Sequence, residues 1–156
     1  MPWQNFSIWR GRLPHWRADE VLYYVTFRHR RALSEPERDE LFRQLLKPEA
    51  SKWNLEILCV RPEVTELMVR LGVDKLGKPH ELSDIVEKAK LKAGKLIIKK
   101  SGERFPPFYQ ESFDRIVRDE SETEERWMQI LEGPVHDELV AEPDQYPFLW
   151  VPAKPV

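Results

Sequence analysis

The chain contains a single cysteine, Cys59, and only four histidines among its 156 residues. A lone cysteine excludes an intramolecular disulfide and a zinc site built from several thiolates. His15, His29, His80 and His136 are scattered, without the short spacing of a metal-binding motif. A P-loop and the Ser/His/Asp signature of hydrolases are also missing. These absences argue against the most familiar metal- and nucleotide-dependent enzymes.

Long hydrophobic runs are absent too. No stretch approaches the ~20 apolar residues of a membrane span, and residues 1–5 do not have the pattern of a signal peptide. We therefore expect a cytoplasmic protein. Hydrophobic residues make up 41% of the chain and charged residues 33%, which is typical of a globular protein. This length predicts a single domain over residues 1–156, because such a chain buries roughly two-thirds of its unfolded surface.

Two predicted strands with a tight turn between them form the centre of the chain. Residues 53–60 and 63–71 are rich in β-branched and aliphatic side chains. The dipeptide Arg61-Pro62 separates them. In the second strand the odd-numbered positions are predicted to face the core, whereas the even-numbered positions form a mixed face that carries a carboxylate, Glu66. We expect any chemistry, or its loss, at this polar position on a central strand.

Shorter patterns on both sides complete the predicted fold. Residues 21–27 and 113–118 read as strands. Ser34 and Glu37 have the spacing of a capping box and begin a helix that ends at Lys47-Pro48. Two further helices are predicted over residues 84–99 and 121–131, the last ended by Gly133-Pro134. The sum is an α+β fold: a single antiparallel sheet of about four or five strands, with helices packed mainly on one face.

Basic residues are concentrated in three places. An N-terminal arm, residues 1–19, interleaves basic side chains with tryptophans, and is either a packed irregular segment or a nucleic-acid arm. A second cluster follows the strand 21–27. The helix 84–99 has lysines at steps of four, three and four, with almost no acidic residue among them. Such a stripe is typical of a solvated helix and also of a phosphate-binding surface. The candidate DNA-binding residues are Arg10, Arg12, Arg17, Arg28, Arg30, Arg31, Lys88, Lys92, Lys95 and Lys99.

Five parts of the chain carry a resemblance to one family. They are residues 12–16 (RLPHW), 24–28 (YVTFR), 59–62 (CVRP), 109–120 (YQESFDRIVRDE), and 133–135 (GPV) together with 146–148 (YPF). In this order they resemble the REP-associated tyrosine transposases, HUH single-strand transposases with one catalytic tyrosine. The resemblance covers nearly the whole chain, including a Pro-rich tail at 136–156. It implies a ferredoxin-like HUH transposase fold, a DNA partner and a homodimer.

The same resemblance identifies what this chain lacks. In the family, the strand after the proline carries two histidines that bind Mg²⁺ or Mn²⁺, and here those positions are Val64 and Glu66. The family's nucleophilic tyrosine lies four residues before an Asn-Pro, and by register with Gly133-Pro134 that position is Gln129. Valine cannot bind a metal, and glutamine cannot form a phosphotyrosine link. We therefore expect no catalytic residues at the degenerate positions, no metal and no cofactor.

The resulting hypothesis is a pseudoenzyme: a catalytically inactivated, transposase-like protein that recognises single-stranded or hairpin DNA. One alternative is an active metal-dependent nuclease or transposase with a site rebuilt around Glu63 and Glu66. Another is a protein–protein interaction module that kept only the fold. A small apolar strip, Leu91 with Gly94 and Ile98, is a candidate subunit contact. We expect Glu66 to be solvated or paired with a nearby base, either Arg70 or a residue of the basic clusters, because a buried unpaired carboxylate is costly.

Overall fold

The computed structural model describes residues 21–152, so the arm at 1–19, with Arg10, Arg12 and Arg17, lies outside the described residues. The elements are β1 (Leu22–Arg28), α1 (Glu35–Leu46), β2 (Trp53–Val60), β3 (Val64–Leu71), α2 (Leu82–Ser101), β4 (Phe113–Val117), α3 (Glu120–His136) and β5 (Leu149–Trp150). A short 3-10 helix, Pro143–Gln145, precedes β5. The predicted strands and helices are all present, with β5 in addition.

All five strands belong to one antiparallel sheet with the order β4-β1-β3-β2-β5. β2 and β3 form the predicted hairpin, closed by a hydrogen bond from Arg61 N to Val64 O at 2.9 Å. β3 is the central strand, between β1 and β2. We call the side that carries Thr65 and Leu67 the odd face of the sheet, and the side that carries Glu66 the even face. The α+β prediction with a single antiparallel sheet is confirmed.

Helices lie on both faces of this sheet. α1 and α2 pack against each other on the odd face. There, Lys90 Nζ of α2 lies 4.6 Å from the centre of the Phe27 ring, and Phe27 is opposite Thr65 in the β1–β3 ladder. α3 lies on the even face, where the Arg126 guanidinium is 4.7 Å from the centre of the Tyr24 ring. Two of the three helices thus share one face, as predicted, and the third covers part of the other.

The predicted start of α1 is confirmed, α2 and α3 begin within two residues of their predicted starts, and the predicted end of α3 is wrong. Ser34 and Glu37 form the reciprocal capping box at the start of α1. α3, however, continues through Gly133-Pro134 to His136 instead of ending there. A proline inside a helix removes one backbone hydrogen bond. Here Gly133 and Pro134 are both buried, so tertiary packing holds the last turn in place.

The core lies between the helices and the sheet. Trp53, Trp127 and Leu67 are fully buried, and so is Cys59, whose thiol pKa is raised by burial. The tail packs on the body through an aromatic residue: Tyr146 Oη donates a hydrogen bond to Val60 O at 2.5 Å. No helix in the described part of the chain is long and apolar enough to cross a membrane.

Candidate nucleic-acid interface

Glu66 lies on the even face of β3, and each of its carboxylate oxygens has a partner. Tyr24 Oη donates to Oε2 at 2.7 Å, and an Arg61 Nη donates to Oε1. The other Nη of Arg61 donates to Asp137 Oδ2 at 2.7 Å. The guanidinium therefore lies between a carboxylate of β3 and one just after α3. We call Tyr24, Arg61, Glu66 and Asp137 the Arg61 cluster.

The expectation that Glu66 has a basic partner is confirmed, but the partner is not Arg70. Arg70 instead pairs with Glu56 at 2.6 Å, farther along the sheet. Arg61 comes from the β2–β3 turn and folds back over the strand that follows it. The side chains of Arg61 and Glu66 are only 15% and 13% exposed, so this ion pair is largely removed from water.

A glycine in α3 gives Arg61 the space it needs. A Cβ on Gly133 would lie 2.9 Å from Arg61 Nε and 3.0 Å from Cζ, closer than real Cβ atoms approach a neighbour. The buried Nε has no hydrogen-bond partner among the described residues, which is consistent with this tight contact. Arg61 therefore packs against Gly133 of the Gly133-Pro134 pair, which the resemblance aligns with the family's Asn-Pro.

Tyr24 contributes a protonated hydroxyl to the cluster. It is 6% exposed. Burial, followed by the hydrogen bond to Glu66, raises the pKa of Tyr24 to about 12, although the nearby Arg126 acts in the opposite direction. A tyrosine attacks phosphorus as an activated phenolate. Tyr24 therefore acts in this arrangement as a hydrogen-bond donor to Glu66.

The residues at the family's metal positions do not fit a divalent cation. Val64 offers no donor atom, and the oxygens of Glu66 are held by the Tyr24 hydroxyl and by a guanidinium whose positive charge repels a metal ion. Glu63 is exposed in the turn. Within residues 21–152, no three His, Cys, Asp or Glu side chains come together in a group that could hold a metal.

Gln129, at the position of the family's tyrosine, is exposed on α3. At 100° per residue it lies at the edge of the helix face that carries Arg126 and Gly133. Those two residues make the contacts to Tyr24 and Arg61. The contacts of α3 with the even face are therefore made by residues about one turn before and one turn after Gln129.

The predicted basic cluster after β1 is divided between the two faces. Arg28 is exposed and lies opposite Val64 in the ladder, so it shares the even face with Glu66. Arg30 is exposed near the ring of Phe105, 5.9 Å from its centre. His29, between them, is buried. Arg28 and His29 point to opposite sides because successive strand side chains alternate, whereas Arg30 lies beyond the end of β1, where this alternation no longer applies.

Arg31, the last member of that cluster, is occupied by two carboxylates. Its guanidinium donates two hydrogen bonds to Glu37, at 2.7 and 2.6 Å, and further bonds to Glu103. The pairing lowers the pKa of Glu37 to about 2. Arg31 joins β1, α1 and the segment after α2, and in this conformation its donors are used within the protein.

Arg28 has cationic and aromatic neighbours that sequence reasoning did not single out. In the β1–β4 ladder, Phe113 and Arg115 lie opposite Thr26 and Tyr24, which places both on the even face. Phe113 is 58% exposed; the Arg115 side chain is 48% exposed, and its Nε donates to Glu122 Oε1 at 2.7 Å. We call Arg28, Phe113, Arg115 and Arg126 the sheet-face patch. Exposed aromatics beside arginines on an open sheet are a common means of binding single-stranded nucleic acid.

The lysine stripe of α2 is exposed at its four predicted positions, Lys88, Lys92, Lys95 and Lys99. Lys88 and Lys92 border a groove of about 300 Å³ between α1 and α2. Lys47 and Lys52 also line this lysine groove, as do Glu81 and Asp84. Only the packing of α1 on α2 brings these extra lysines in, so the sequence pattern could not reveal them. The structure thus separates the lysine stripe from Arg28, on opposite faces of the sheet.

Comparison with known proteins supports the fold. No family model matches the sequence, and no curated protein is detectably similar. One similar solved structure is a REP-associated tyrosine transposase bound to a REP hairpin, with 14% identity and a TM-score of 0.64 over 87% of this chain and 81% of the other. A second, from Deinococcus radiodurans R1, is described as a candidate transposase, with 15% identity and a TM-score of 0.50 over 77% and 95%. At these identities the likeness concerns architecture, and we conclude that this chain has a transposase-like fold.

Proposed function

We propose that this protein is a cytoplasmic DNA-binding protein that recognises single-stranded or hairpin DNA and does not cut it. The observation that carries the proposal is the Arg61 guanidinium bound to Glu66, at a position where the resembled family binds its metal. The transposase-like fold supports the DNA partner, since a protein of similar fold was solved with a DNA hairpin. The loss of catalysis and the preference for single-stranded or hairpin DNA are the parts that need testing.

Three features support the loss of catalysis. A divalent cation would have to displace a largely buried ion pair before it could reach Glu66. Gln129 has no hydroxyl to serve as a nucleophile. Tyr24, which does reach the cluster, is buried, and its raised pKa keeps it protonated. The first feature removes the metal and the other two remove the nucleophile, so together they support an inactive site more strongly than any one of them does.

Local charge supports DNA binding better than overall charge, which is only −2. The sheet-face patch offers arginines and an exposed aromatic ring beside the Arg61 cluster. The lysine groove offers exposed ammonium groups on the other side of the sheet. Phosphates bound by such groups release counterions, so the affinity should fall steeply with salt.

The resemblance also implies a homodimer, and we include it in the proposal without assigning its contact. Of the predicted strip, Leu91 is 57% exposed, but Gly94 is buried beneath Pro106. The strip is therefore interrupted and does not form a continuous apolar surface. Sedimentation velocity at micromolar concentrations should show a dimer. A monomer would contradict this part of the proposal.

Binding and cleavage assays on three DNA forms test the function. Fluorescently labelled hairpin, single-stranded and duplex DNA of matched length should show tighter binding of the first two. Incubation with Mg²⁺ or Mn²⁺ should leave all three uncut. No binding even at low salt would favour the protein-interaction alternative. Metal-dependent nicking that disappears in Glu66→Ala would overturn the proposal in favour of a rebuilt nuclease.

A further inference from the structure

A second groove, of about 460 Å³, lies between α2 and the segment that leads to β4. Three large apolar side chains in its lining are more than half exposed: Leu91 at 57%, Phe105 at 58% and Tyr109 at 53%. Adjacent exposed apolar side chains of this size generally mark a binding surface. We call Phe105 and Tyr109, with the space between them, the aromatic groove.

The wall of the aromatic groove is firmly built. Lys90 Nζ donates hydrogen bonds to Tyr109 O at 2.6 Å and Gln110 O at 3.2 Å, which attaches this segment to α2. Arg30 N donates to Pro107 O at 2.7 Å, which attaches it to the end of β1. The two rings are therefore exposed on a backbone that is hydrogen-bonded on both sides.

Cations surround one of these rings. The guanidinium carbons of Arg30 and Arg104 lie 5.9 and 5.6 Å from the centre of the Phe105 ring. Both arginines are exposed, so their charges remain available to a ligand. Among the described residues, Glu87 is the single carboxylate in the lining of this groove. Flat aromatic surfaces under a local excess of positive charge match a ligand that is itself flat, aromatic and anionic along its backbone.

We propose that the aromatic groove binds an unpaired nucleobase of single-stranded DNA, in contact with both the Phe105 and the Tyr109 ring, with the adjacent phosphates contacted by Arg30 and Arg104. This inference rests on the proposed function and names the part of the DNA that this surface recognises. An apolar peptide would gain from the rings but would leave the arginines without anionic partners. Charge complementarity therefore favours a nucleic-acid strand.

The position of the groove fits an unpaired strand beside a folded stem. Around the axis of α2, Leu91 is separated from the lysine stripe by roughly a quarter of a turn. A DNA molecule with a stem along the lysines thus reaches the aromatic groove by passing over one side of the same helix. The groove would then recognise a tail next to the stem.

Two hairpins with the same stem test this assignment, one blunt and one with an unpaired tail. The unmodified protein should bind the tailed hairpin more tightly. Phe105→Ala and Tyr109→Ala should each lower that affinity by roughly 5- to 150-fold, since stacking contributes about 1–3 kcal/mol per base. Affinity for the blunt hairpin should stay unchanged.

Leu76→Ala is the matched control, because Leu76 is 93% exposed in the loop before α2. Thermal unfolding should confirm that every variant is folded.

The possible results distinguish a failure of the groove assignment from a failure of the proposed DNA-binding function. If the unmodified protein binds neither hairpin, the proposed function fails and the inference fails with it. If it binds both equally, or if Phe105→Ala behaves as Leu76→Ala does, the groove assignment is wrong while DNA binding stands. A change from dimer to monomer in Phe105→Ala, with the tail preference intact, would make the groove a protein interface.

Photocross-linking tests the contact directly. A 5-iodouracil tail should cross-link to Phe105 or Tyr109, and a cross-link confined to the lysine groove would also overturn the assignment.

Discussion

At the scale of single residues, Arg61 and Gly133 depend on each other. The guanidinium satisfies two carboxylates, and it can occupy that position because residue 133 has no side chain. Breaking a largely buried pair by removing one partner is costly, because the remaining charge is left without compensation. The two residues are far apart in the sequence, and only their contact makes them a unit.

A double-mutant cycle should measure this dependence. Gly133→Ala would place a Cβ against Arg61, and we expect it to destabilise the fold by about 1–3 kcal/mol despite the better helix propensity of alanine. In an Arg61→Ala background the same change should be neutral or stabilising by up to about 1 kcal/mol. Urea unfolding midpoints give both values. Equal effects of Gly133→Ala in the two backgrounds would show that the contact is unimportant.

His29 should make stability depend on pH. Its Nδ1–H donates to Pro62 O at 2.7 Å, and its Nε2 accepts from Thr65 Oγ1 at 2.8 Å, which describes a neutral ring. Burial lowers the pKa of His29 from 6.5 to about 4, and the charge of Lys90 also acts to lower it. The unfolded chain thus takes up a proton at a higher pH than the folded chain, so the free energy of unfolding falls as pH decreases through this window.

Urea unfolding at pH 7.5 and 5.0 should reveal the effect. Between these values we expect a loss on the order of 2 kcal/mol from this histidine. His29→Gln should be less stable at pH 7.5 but should lose less stability on acidification. His136→Gln, at the exposed end of α3, is the matched control and should keep the pH dependence of the unmodified protein. Identical slopes for all three proteins would contradict this role.

At the scale of elements, α2 has different surfaces on its two sides: exposed lysines towards α1, and the aromatic groove on the other side. The stripe is recognisable in the sequence because its spacing follows the helix period. Its groove partners, Lys47 and Lys52, come from other parts of the chain. A local pattern therefore predicts the surface but not the cavity that it borders.

Replacing Lys88, Lys92 and Lys95 with glutamine should weaken DNA binding without unfolding α2, since all three side chains are exposed. If each contacts one phosphate, the slope of log affinity against log salt should become about 2 to 3 units shallower. Circular dichroism checks the helix. The matched control replaces Lys75 and Lys78, exposed in the loop before α2, and should leave the slope unchanged. An unaltered slope in the α2 variant would exclude the stripe from the interface.

Local signals predicted most of the elements, and long-range contacts explain what was missed. The capping box of Ser34 and the alternation of β3 are both encoded by neighbouring residues. The capping box is present, and the alternation in burial holds over residues 64–67 but not over the rest of the strand, where Met68 and Arg70 are buried too. The extension of α3 past Pro134 depends on burial that no local rule reports. Asp137, as a partner of Arg61, is 76 positions away in the sequence. The sequence therefore shows that positions 64, 66 and 129 differ from the resembled family, but it does not show the Arg61 contacts found at these positions.

At the scale of the whole molecule, the residues around positions 64 and 66 come from a strand, a turn and a helix. No single substitution should therefore create a metal-binding site there. Val64→His with Glu66→His should bind Mn²⁺ weakly while Arg61 remains, because the guanidinium repels the metal. Adding Arg61→Met should restore binding, measured by calorimetry. Adding Gln129→Tyr should then give a covalent protein–DNA adduct on a denaturing gel. Mn²⁺ binding by the unmodified protein as tight as that of the rebuilt variant would contradict this order of effects.

The ion pair of Arg61 also affects how this protein can change over evolutionary time. Replacing Glu66 first leaves the guanidinium with a single carboxylate, and replacing Arg61 first leaves two carboxylates, Glu66 and Asp137, without their cation. Either first step costs on the order of 3 kcal/mol, a large part of the stability of a small domain. A metal-binding site reached at positions 64 and 66 by single substitutions would therefore pass through less stable intermediates. The ion pair acts as a barrier that makes such a site harder to evolve.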